Sequence, residues 1–404
     1  MPSVRSTRRA FLASAAALAA APGAVSASPV SEPPLQRLRR ALVLSGGGAR
    51  GAYQAGIIDY LRLSRQIPEG APLRPYGIVA GTSIGALNGY FVATGQYGLL
   101  RTLWNSIAEQ NVIRLKPRFA KVTNDDSGVG TRFAAAMRLV LGLSHDQTGV
   151  IDGDHLRDWL SRYVDPSRPV VMPFVWTVTN LTDQSPEFFF LVDTKIAEDE
   201  RKRAVAAIRL TVGPHTVLRE AAPDLLIDAL RASAAIPVAF DPVKLPAPSG
   251  NGTNDYVDGG VTANTPIGVA RAAATRIDVV LLDPPFQSTH YHDALDVGFG
   301  VFGAMQRRIL EADLRAAYLE TYGKRSIEAE RRANRLATGI GVDTTQVDQF
   351  SATLFDTDIF QMQPKDELPV AVVGFDDREN IYKTFSIGFE DARRGFTPYV
   401  YGSD

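Results

Sequence analysis

One stretch sets the architecture of this chain: Tyr76–Gly95, which reads YGIVAGTSIGALNGYFVATG. A short apolar run ends at Gly81, Ser83 follows, and small and apolar residues continue at helical spacing after Gly85. This order predicts a strand, a sharp turn and a helix, and Gly81–Gly85 fits the Gly-x-Ser-x-Gly pattern of a nucleophile elbow. We expect the flanking glycines, which have no Cβ, to let the turn tighten and adopt φ values closed to other residues. The serine hydroxyl would then lie above the sheet edge, at a helix N-terminus that favours negative charge. The alternative is a Gly-rich strand-to-helix turn with no catalytic role.

The composition is typical of a globular protein and excludes several functions. The 404 residues are 45% hydrophobic and 22% charged, which is enough apolar chain for a large core. A formal charge of −1 argues against general nucleic-acid binding, because no excess of basic residues is present to neutralise phosphates. The chain has no cysteine, so disulfides, thiolate metal sites and a cysteine nucleophile are excluded.

The first 27 residues are typical of an export signal. A basic start that includes Arg8 and Arg9 is followed by an Ala-rich apolar run and a Val-Ser-Ala sequence. The apolar run is shorter than the roughly 20 residues that a membrane-spanning helix needs. The paired arginines resemble bacterial twin-arginine signals. We expect residues 1–27 to be a cleaved signal peptide, residues 28–39 a linker, and residues 40–404 a single domain that is exported to the periplasm or secreted.

A second strand–loop–helix unit precedes the elbow. The apolar strand Ala41–Ser45 ends in the loop Gly46–Gly51, which reads GGGARG. Backbone N–H groups of such a loop can converge on an anion. The glycines also satisfy Gly-x-Gly-x-x-Gly, but dinucleotide binding needs an acidic residue at the end of a second strand, and Glu69 lies in a turn. We therefore expect the loop to stabilise the oxyanion of an acyl intermediate. Since the two βα units, residues 41–62 and 76–95, predict neighbouring parallel strands, this loop would lie beside the elbow serine.

A carboxylate partner for the serine is predicted further along the chain. A strand at Tyr256–Val257 leads into Asp258, Gly259 and Gly260. A plain Asp-Gly hairpin turn is the alternative interpretation. Asp255 is a second acidic candidate, but it lacks adjacent glycines that would allow close backbone approach.

Other segments predict the frame around these motifs. We expect a strand pair at Val170–Leu181 and Phe188–Val192, with the Phe188–Phe190 triplet in the core rather than in contact with lipid. The turn before His155 could suggest a cation site, but an acidic residue ahead of an apolar helical face favours a helix cap. Further helices are predicted mainly over residues 99–165 and at 203–212 and 224–234, and a strand is predicted at Ile277–Asp283.

Four motifs occur in an order that resembles patatin-like phospholipases. They are the loop Gly46–Gly51, the elbow Gly81–Gly85, a Ser-Ala-Ala-Ile-Pro stretch from Ser233 to Pro237, and Asp258–Gly260. Asn264 and Pro266 also match, and residues 359–396 resemble the closing strand and helix of the family. The resemblance covers residues 40–397.

The resemblance implies a three-layer α/β/α sandwich with a mainly parallel central sheet and a serine–aspartate dyad without histidine. In it Ser83 attacks the ester carbonyl, and Asp258 takes the proton and later activates water. The remaining site residues are the oxyanion loop Gly46, Gly47 and Gly48 with Arg50 as its brace, the elbow glycines Gly81 and Gly85, and the base-motif glycines Gly259 and Gly260. An aspartate is ordinarily a weak base, so the pocket must orient and desolvate it.

The implied substrate is a phospholipid or another lipid ester, cleaved as by a phospholipase A or lysophospholipase, with transient contact to a membrane surface. We find no motif for a cofactor or a metal ion. One alternative is a Ser-His-Asp esterase of the α/β-hydrolase type that uses His290 or His292. That fold has several strands before its elbow and a histidine in its oxyanion motif, and neither is present here. A general esterase or acyltransferase with the same dyad and a catalytically silent lipid-binding protein are further alternatives.

A long helix is predicted over Phe299–Leu336. Its predicted apolar face consists of Phe302, Met305, Ile309, Ala312, Ala316 and Leu319. The helix is either packed on the sheet with a solvated charged face, or a lid or lipid-surface element over the active site.

Overall fold

The computed structural model describes residues 40–116, 149–193, 216–237, 239–285, 294–338 and 354–399, together with the isolated positions 202, 205, 206 and 351. The predicted signal peptide and linker lie outside the described residues, as do most of the predicted helix 203–212, His290 and His292. The chain divides into two compact units. One consists of Arg37–Leu314 with Asp358–Asp404, and the other contains Arg315–Thr357.

The larger unit is built on one mixed sheet. Its described strands are β1 (Ala41–Leu44), β2 (Ile78–Thr82), β3 (Phe174–Asn180), β4 (Ser185–Leu191), β5 (Val217–Glu220), β6 (Val243–Pro246), β7 (Thr253–Asp258), β8 (Arg276–Val280), β9 (Asp358–Met362) and β10 (Thr397–Pro398). The order is β10-β9-β8-β1-β2-β3-β4-β5, and β7 pairs with both β3 and β6. Strands β9, β8, β1, β2 and β3 are parallel to one another, which confirms the predicted mainly parallel sheet.

Helices of the larger unit cover its sheet. The helices described are α1 (Gly51–Ser64), α2 (Ile84–Ala93), α3 (Tyr97–Ser106), α4 (Gly153–Ser161), α5 (Leu226–Ser233), α6 (Gly260–Ala263), α7 (Ile267–Ala273), α8 (Ala294–Thr338) and α9 (Arg378–Arg394). Of these, α8 extends from the larger unit into the other. Every residue of β1 and β2 is buried, as expected for parallel strands covered by helices on both faces. This is the α/β/α architecture that the sequence predicts.

The two predicted βα units are neighbours in the sheet. Leu44 lies opposite Gly81 in the parallel register of β1 and β2, so the loops after both strands leave the same edge. The predicted hairpin is also present, because β3 and β4 pair antiparallel along their whole length. Within it, Phe189 is fully buried and its ring stacks on Trp176 at 5.7 Å, which confirms the Phe188–Phe190 triplet as core.

Two strands run toward each other along one edge of β3. Thr82, the last residue of β2, lies opposite Thr177, and Asp258, the last residue of β7, lies opposite Val178. Because β7 is antiparallel to β3 and β2 is parallel to it, the carboxyl ends of β2 and β7 meet at adjacent positions. Strand pairing therefore brings Ser83, which follows Thr82, next to Asp258, which ends β7.

The long helix α8 is present, but its predicted apolar face is wrong. Met305 and Leu319 are 54% and 44% exposed, whereas Leu314, Ala317 and Thr321 are buried. The helix carries two sets of residues at three- and four-residue spacing, and helical periodicity alone does not say which set faces the protein. Within the unit that contains Arg315–Thr357, the Thr321 hydroxyl donates to the carbonyl of Thr357 at 3.0 Å.

Candidate active site

The nucleophile elbow lies between β2 and α2. Ser83 has φ 56° and ψ −125°, in a region that side-chain-bearing residues rarely adopt. The positive φ therefore falls on the serine, and the expectation that the flanking glycines would adopt it is wrong. Gly81 and Gly85 serve close approach instead, because a Cβ on Gly81 would collide with the carbonyl of Gly85, and one on Gly85 with the carbonyl of Leu44.

Ser83 and Asp258 form a direct hydrogen bond. The Ser83 hydroxyl donates to Asp258 Oδ2 at 2.6 Å, and both residues are almost wholly buried. At this distance no imidazole can stand between the two side chains, which removes the support for a Ser-His-Asp relay. Burial raises the pKa of Asp258 to about 7, although the hydrogen bonds from Ser83 and from the Gly260 amide partly oppose the rise. The carboxyl is thereby poised to exchange a proton near neutral pH.

Asp258 is held by a backbone amide and by a neighbouring hydroxyl. The Gly260 amide donates to Asp258 Oδ1 at 2.7 Å, and the Thr179 hydroxyl donates to the Asp258 carbonyl at 2.9 Å. A Cβ on Gly259 would collide with the carbonyl of Thr177, so a glycine is required for β7 to end so close to β3. Helix α6 follows directly, which excludes the plain Asp-Gly hairpin turn.

Ser233, which the sequence places only in a family motif, is buried and contacts Ser83. The Ser83 amide donates to Ser233 Oγ at 2.9 Å, and the Ser233 hydroxyl donates to the carbonyl of Thr177 at 2.7 Å. The Ser-Ala-Ala-Ile-Pro stretch signalled this position, but neither its residue types nor its spacing indicated the contact.

The glycine loop lies against the elbow. A Cβ on Gly46 would be 3.1 Å from Ser83 Cβ, and Gly48 lines the same cavity as Ser83. The Gly46 amide is already used, since it donates to the Asn264 carbonyl at 3.0 Å. Within the part of the chain that the structure describes, the amides of Gly47 and Gly48 form no backbone hydrogen bond. Of the three loop glycines in the predicted oxyanion site, Gly46 is thus the one whose amide is engaged in the described structure.

Arg50 ties this loop to two other segments. Its guanidinium donates to Asp283 at 2.6 Å and to Glu367 at 3.3 Å. Gly48 has φ 57°, and its backbone packs so closely on Val372 that a Cβ would collide with the Val372 carbonyl. The loop is thus fixed from both sides, and the charge of Arg50 is paired with carboxylates.

An apolar cavity opens at Ser83. Its walls include Leu87, Phe91, Leu103, Trp104, Trp159 and Phe240. The indole N–H groups of the walls are satisfied elsewhere, because Trp104 donates to Asn88 and Trp159 donates to Gln110. The cavity therefore presents a largely apolar surface next to Ser83.

Other predicted candidates do not join this site. Asp152 caps α4 by accepting the amides of Asp154 and His155, which confirms the cap interpretation. Glu69 accepts the Gly98 amide at 2.7 Å and so contacts the start of α3 from its turn. Over the described ranges, no group of three or more acidic or histidine side chains could hold a metal ion. Within the same ranges, no helix combines the length and hydropathy needed to span a bilayer.

Comparison with known proteins identifies a family. A family described as Patatin-like phospholipase matches residues 42–271. No curated protein matches the sequence. Among solved structures, the chain is similar to VipD from Legionella pneumophila with 13% sequence identity and a TM-score of 0.34. The match covers 88% of this chain and 66% of that one, so this chain spans slightly less than two thirds of that protein.

Proposed function

We propose, because this chain belongs to the patatin-like phospholipase family, that it is a serine acyl hydrolase that cleaves carboxylic esters of lipids. The observation that carries the proposal is the 2.6 Å hydrogen bond between Ser83 and Asp258 at the opening of an apolar cavity. A buried hydroxyl bonded to a carboxyl of raised pKa is the arrangement that nucleophilic catalysis needs.

The proposed reaction has two halves. Ser83 Oγ attacks the ester carbonyl while its proton passes to Asp258, and the amides of Gly47 and Gly48 donate hydrogen bonds to the oxyanion of the tetrahedral intermediate. The intermediate collapses to an acyl-enzyme as Asp258 returns the proton to the leaving alcohol. A water then attacks the acyl-enzyme, its proton goes to Asp258 and then to Ser83, and the fatty acid leaves.

The cavity supports a lipid acyl chain as the group that binds beside the dyad. Apolar burial stabilises a chain by about 0.8 kcal/mol for each methylene, whereas a polar acyl group would gain nothing from these walls. We place the activity in the phospholipase A or lysophospholipase class. The same proposal includes export of the mature chain and transient contact with a membrane surface, as the first 27 residues and the substrate class suggest.

Labelling and lipid hydrolysis test the proposal. A fluorophosphonate should form one adduct, at Ser83, and Ser83→Ala should abolish both the adduct and fatty-acid release from phosphatidylcholine vesicles. Ser386→Ala, which removes a hydroxyl on α9 that bonds its own helix, is the matched control and should keep full activity. Label on another residue, or vesicles left intact by a correctly folded wild type, would contradict the proposal, and intact vesicles with bound protein would favour a silent lipid-binding protein.

A further inference from the structure

We propose that Ser233 is a positioning residue, which holds the nucleophile Ser83 in its reactive conformation without touching the substrate. This inference rests on the proposed function, because it assigns Ser233 a part in the reaction of Ser83. It starts from the fully buried hydroxyl at the end of α5, which bonds the backbone of the elbow.

The direction of both hydrogen bonds of Ser233 is determined. Its single hydroxyl proton is donated to the carbonyl of Thr177 at 2.7 Å. The oxygen can therefore only accept from the Ser83 amide, which lies at 2.9 Å. This links the elbow through one side chain to β3, the strand against which both β2 and β7 end.

Ser83 needs such a support. Its backbone conformation, φ 56° and ψ −125°, is sparsely populated and persists only where the surroundings constrain it. The carbonyl of Ser83 is constrained by the amides of Ala86 and Leu87, which bond it as the first turn of α2. Among the described residues, Ser233 provides the side chain that constrains the amide of Ser83.

The same short segment also holds the base. The amide of Asp258 donates to the Ala235 carbonyl at 2.8 Å, and the amide of Gly259 donates to the Ser233 carbonyl at 3.4 Å. The backbone of residues 233–235 fixes Asp258, while the side chain of Ser233 fixes Ser83. Removing the hydroxyl alone should therefore disturb the nucleophile and leave the base in place.

Four variants test the assignment on the full-length protein. Ser233→Ala should lower kcat for a short-chain nitrophenyl ester by about 10- to 100-fold, since small displacements of a nucleophile cost about this much. Its KM should stay within about threefold, because the apolar cavity is unchanged. Ser233→Thr and Ser233→Val have nearly the same shape and differ in the hydroxyl, so the threonine variant should exceed the valine variant by a similar factor. Thr94→Val removes a comparably buried hydroxyl at the C-terminus of α2 and should keep the wild-type kcat.

Fluorophosphonate labelling distinguishes positioning from a loss of folded protein. Ser233→Ala should label every molecule, but more slowly, by the factor seen in kcat. Wild-type kcat in Ser233→Ala, equal rates for the threonine and valine variants, or a loss explained by an unlabelled fraction would each overturn the inference and leave the proposed function intact. A folded wild type that neither labels nor hydrolyses any ester would overturn the proposed function and this inference with it.

Discussion

Asp258 combines two properties that are rarely found together in a carboxylic acid. It is 3% exposed, and the groups that bond it are a hydroxyl and a backbone amide rather than a cation. Desolvation therefore outweighs hydrogen bonding, and the pKa is raised to about 7. A serine–aspartate dyad can then operate near neutral pH without a histidine, because burial supplies the basicity that an exposed aspartate lacks.

The pH dependence of the activity should report this group. We expect kcat/KM for a neutral ester to rise with pH around a midpoint near 7 and to level off above it, because only the deprotonated carboxylate can accept the Ser83 proton. Well below the midpoint, the rate should change about tenfold per pH unit. Rates measured from pH 5 to 9, with Ser83→Ala as the background, test this. A profile that is level from pH 5 to 8 would contradict it.

The same raised pKa should reduce stability as the pH rises. Between about pH 4 and 7 the folded protein holds the Asp258 proton and the unfolded chain does not, so the free energy of unfolding falls with pH. The side-chain amide of an Asp258→Asn variant would not titrate. From pH 5.5 to pH 8, this variant should therefore gain roughly 2 kcal/mol of stability relative to wild type, at about 1.4 kcal/mol per pKa unit, while losing turnover.

Chemical unfolding of both proteins at the two pH values measures this gain. Asp366→Asn, a substitution of an exposed aspartate, serves as the control and should show no such difference. A constant difference between Asp258→Asn and wild type at both pH values would mean that the folded protein does not retain this proton.

The secondary-structure elements explain why residues so far apart in sequence meet. Strands β2 and β7 end at adjacent positions of β3, Thr177 and Val178, so the register of one strand places both halves of the dyad. A one-residue slip of β7 would turn Asp258 to the opposite face of the sheet. The pairing of β7 with β6 and β3 thus holds the Asp258 side chain within hydrogen-bonding distance of Ser83.

Sequence reasoning succeeded where the chemistry is local. The elbow, the glycine loop and the Asp-Gly-Gly turn each combine a chemical group with the glycines that its packing requires, so a short motif contains most of the information. It missed β5 and β6, because both strands are only four residues long: β5 shows no regular alternation, and the alternation of buried and exposed residues in β6 is too short to be distinctive. It also missed the contact of Ser233, which exists only because α5, β2 and β3 converge.

The apolar cavity is a property of the whole larger unit. Its walls come from α2, α3 and α4, from the segment around Phe240, and from residues near Phe375. The wall residues extend along the sequence from Gly48 to Phe375, and each segment contributes side chains that, taken singly, look like ordinary core residues. No local pattern could predict a cavity whose walls come from so many separate segments. Ser83 borders the cavity because α2 begins directly after it and also supplies one wall of the cavity.

The acyl-chain preference of the enzyme should therefore change when this space is narrowed. Leu87 lines the cavity one helical turn after Ser83, and Leu87→Trp would occupy volume that an acyl chain needs. Each excluded methylene costs about 0.8 kcal/mol, or roughly fourfold in kcat/KM, so the ratio of palmitate to butyrate ester hydrolysis should fall roughly tenfold or more. Leu63→Trp, at a 45% exposed position of α1, should leave the ratio unchanged. Equal losses on both esters would place the acyl chain outside this cavity.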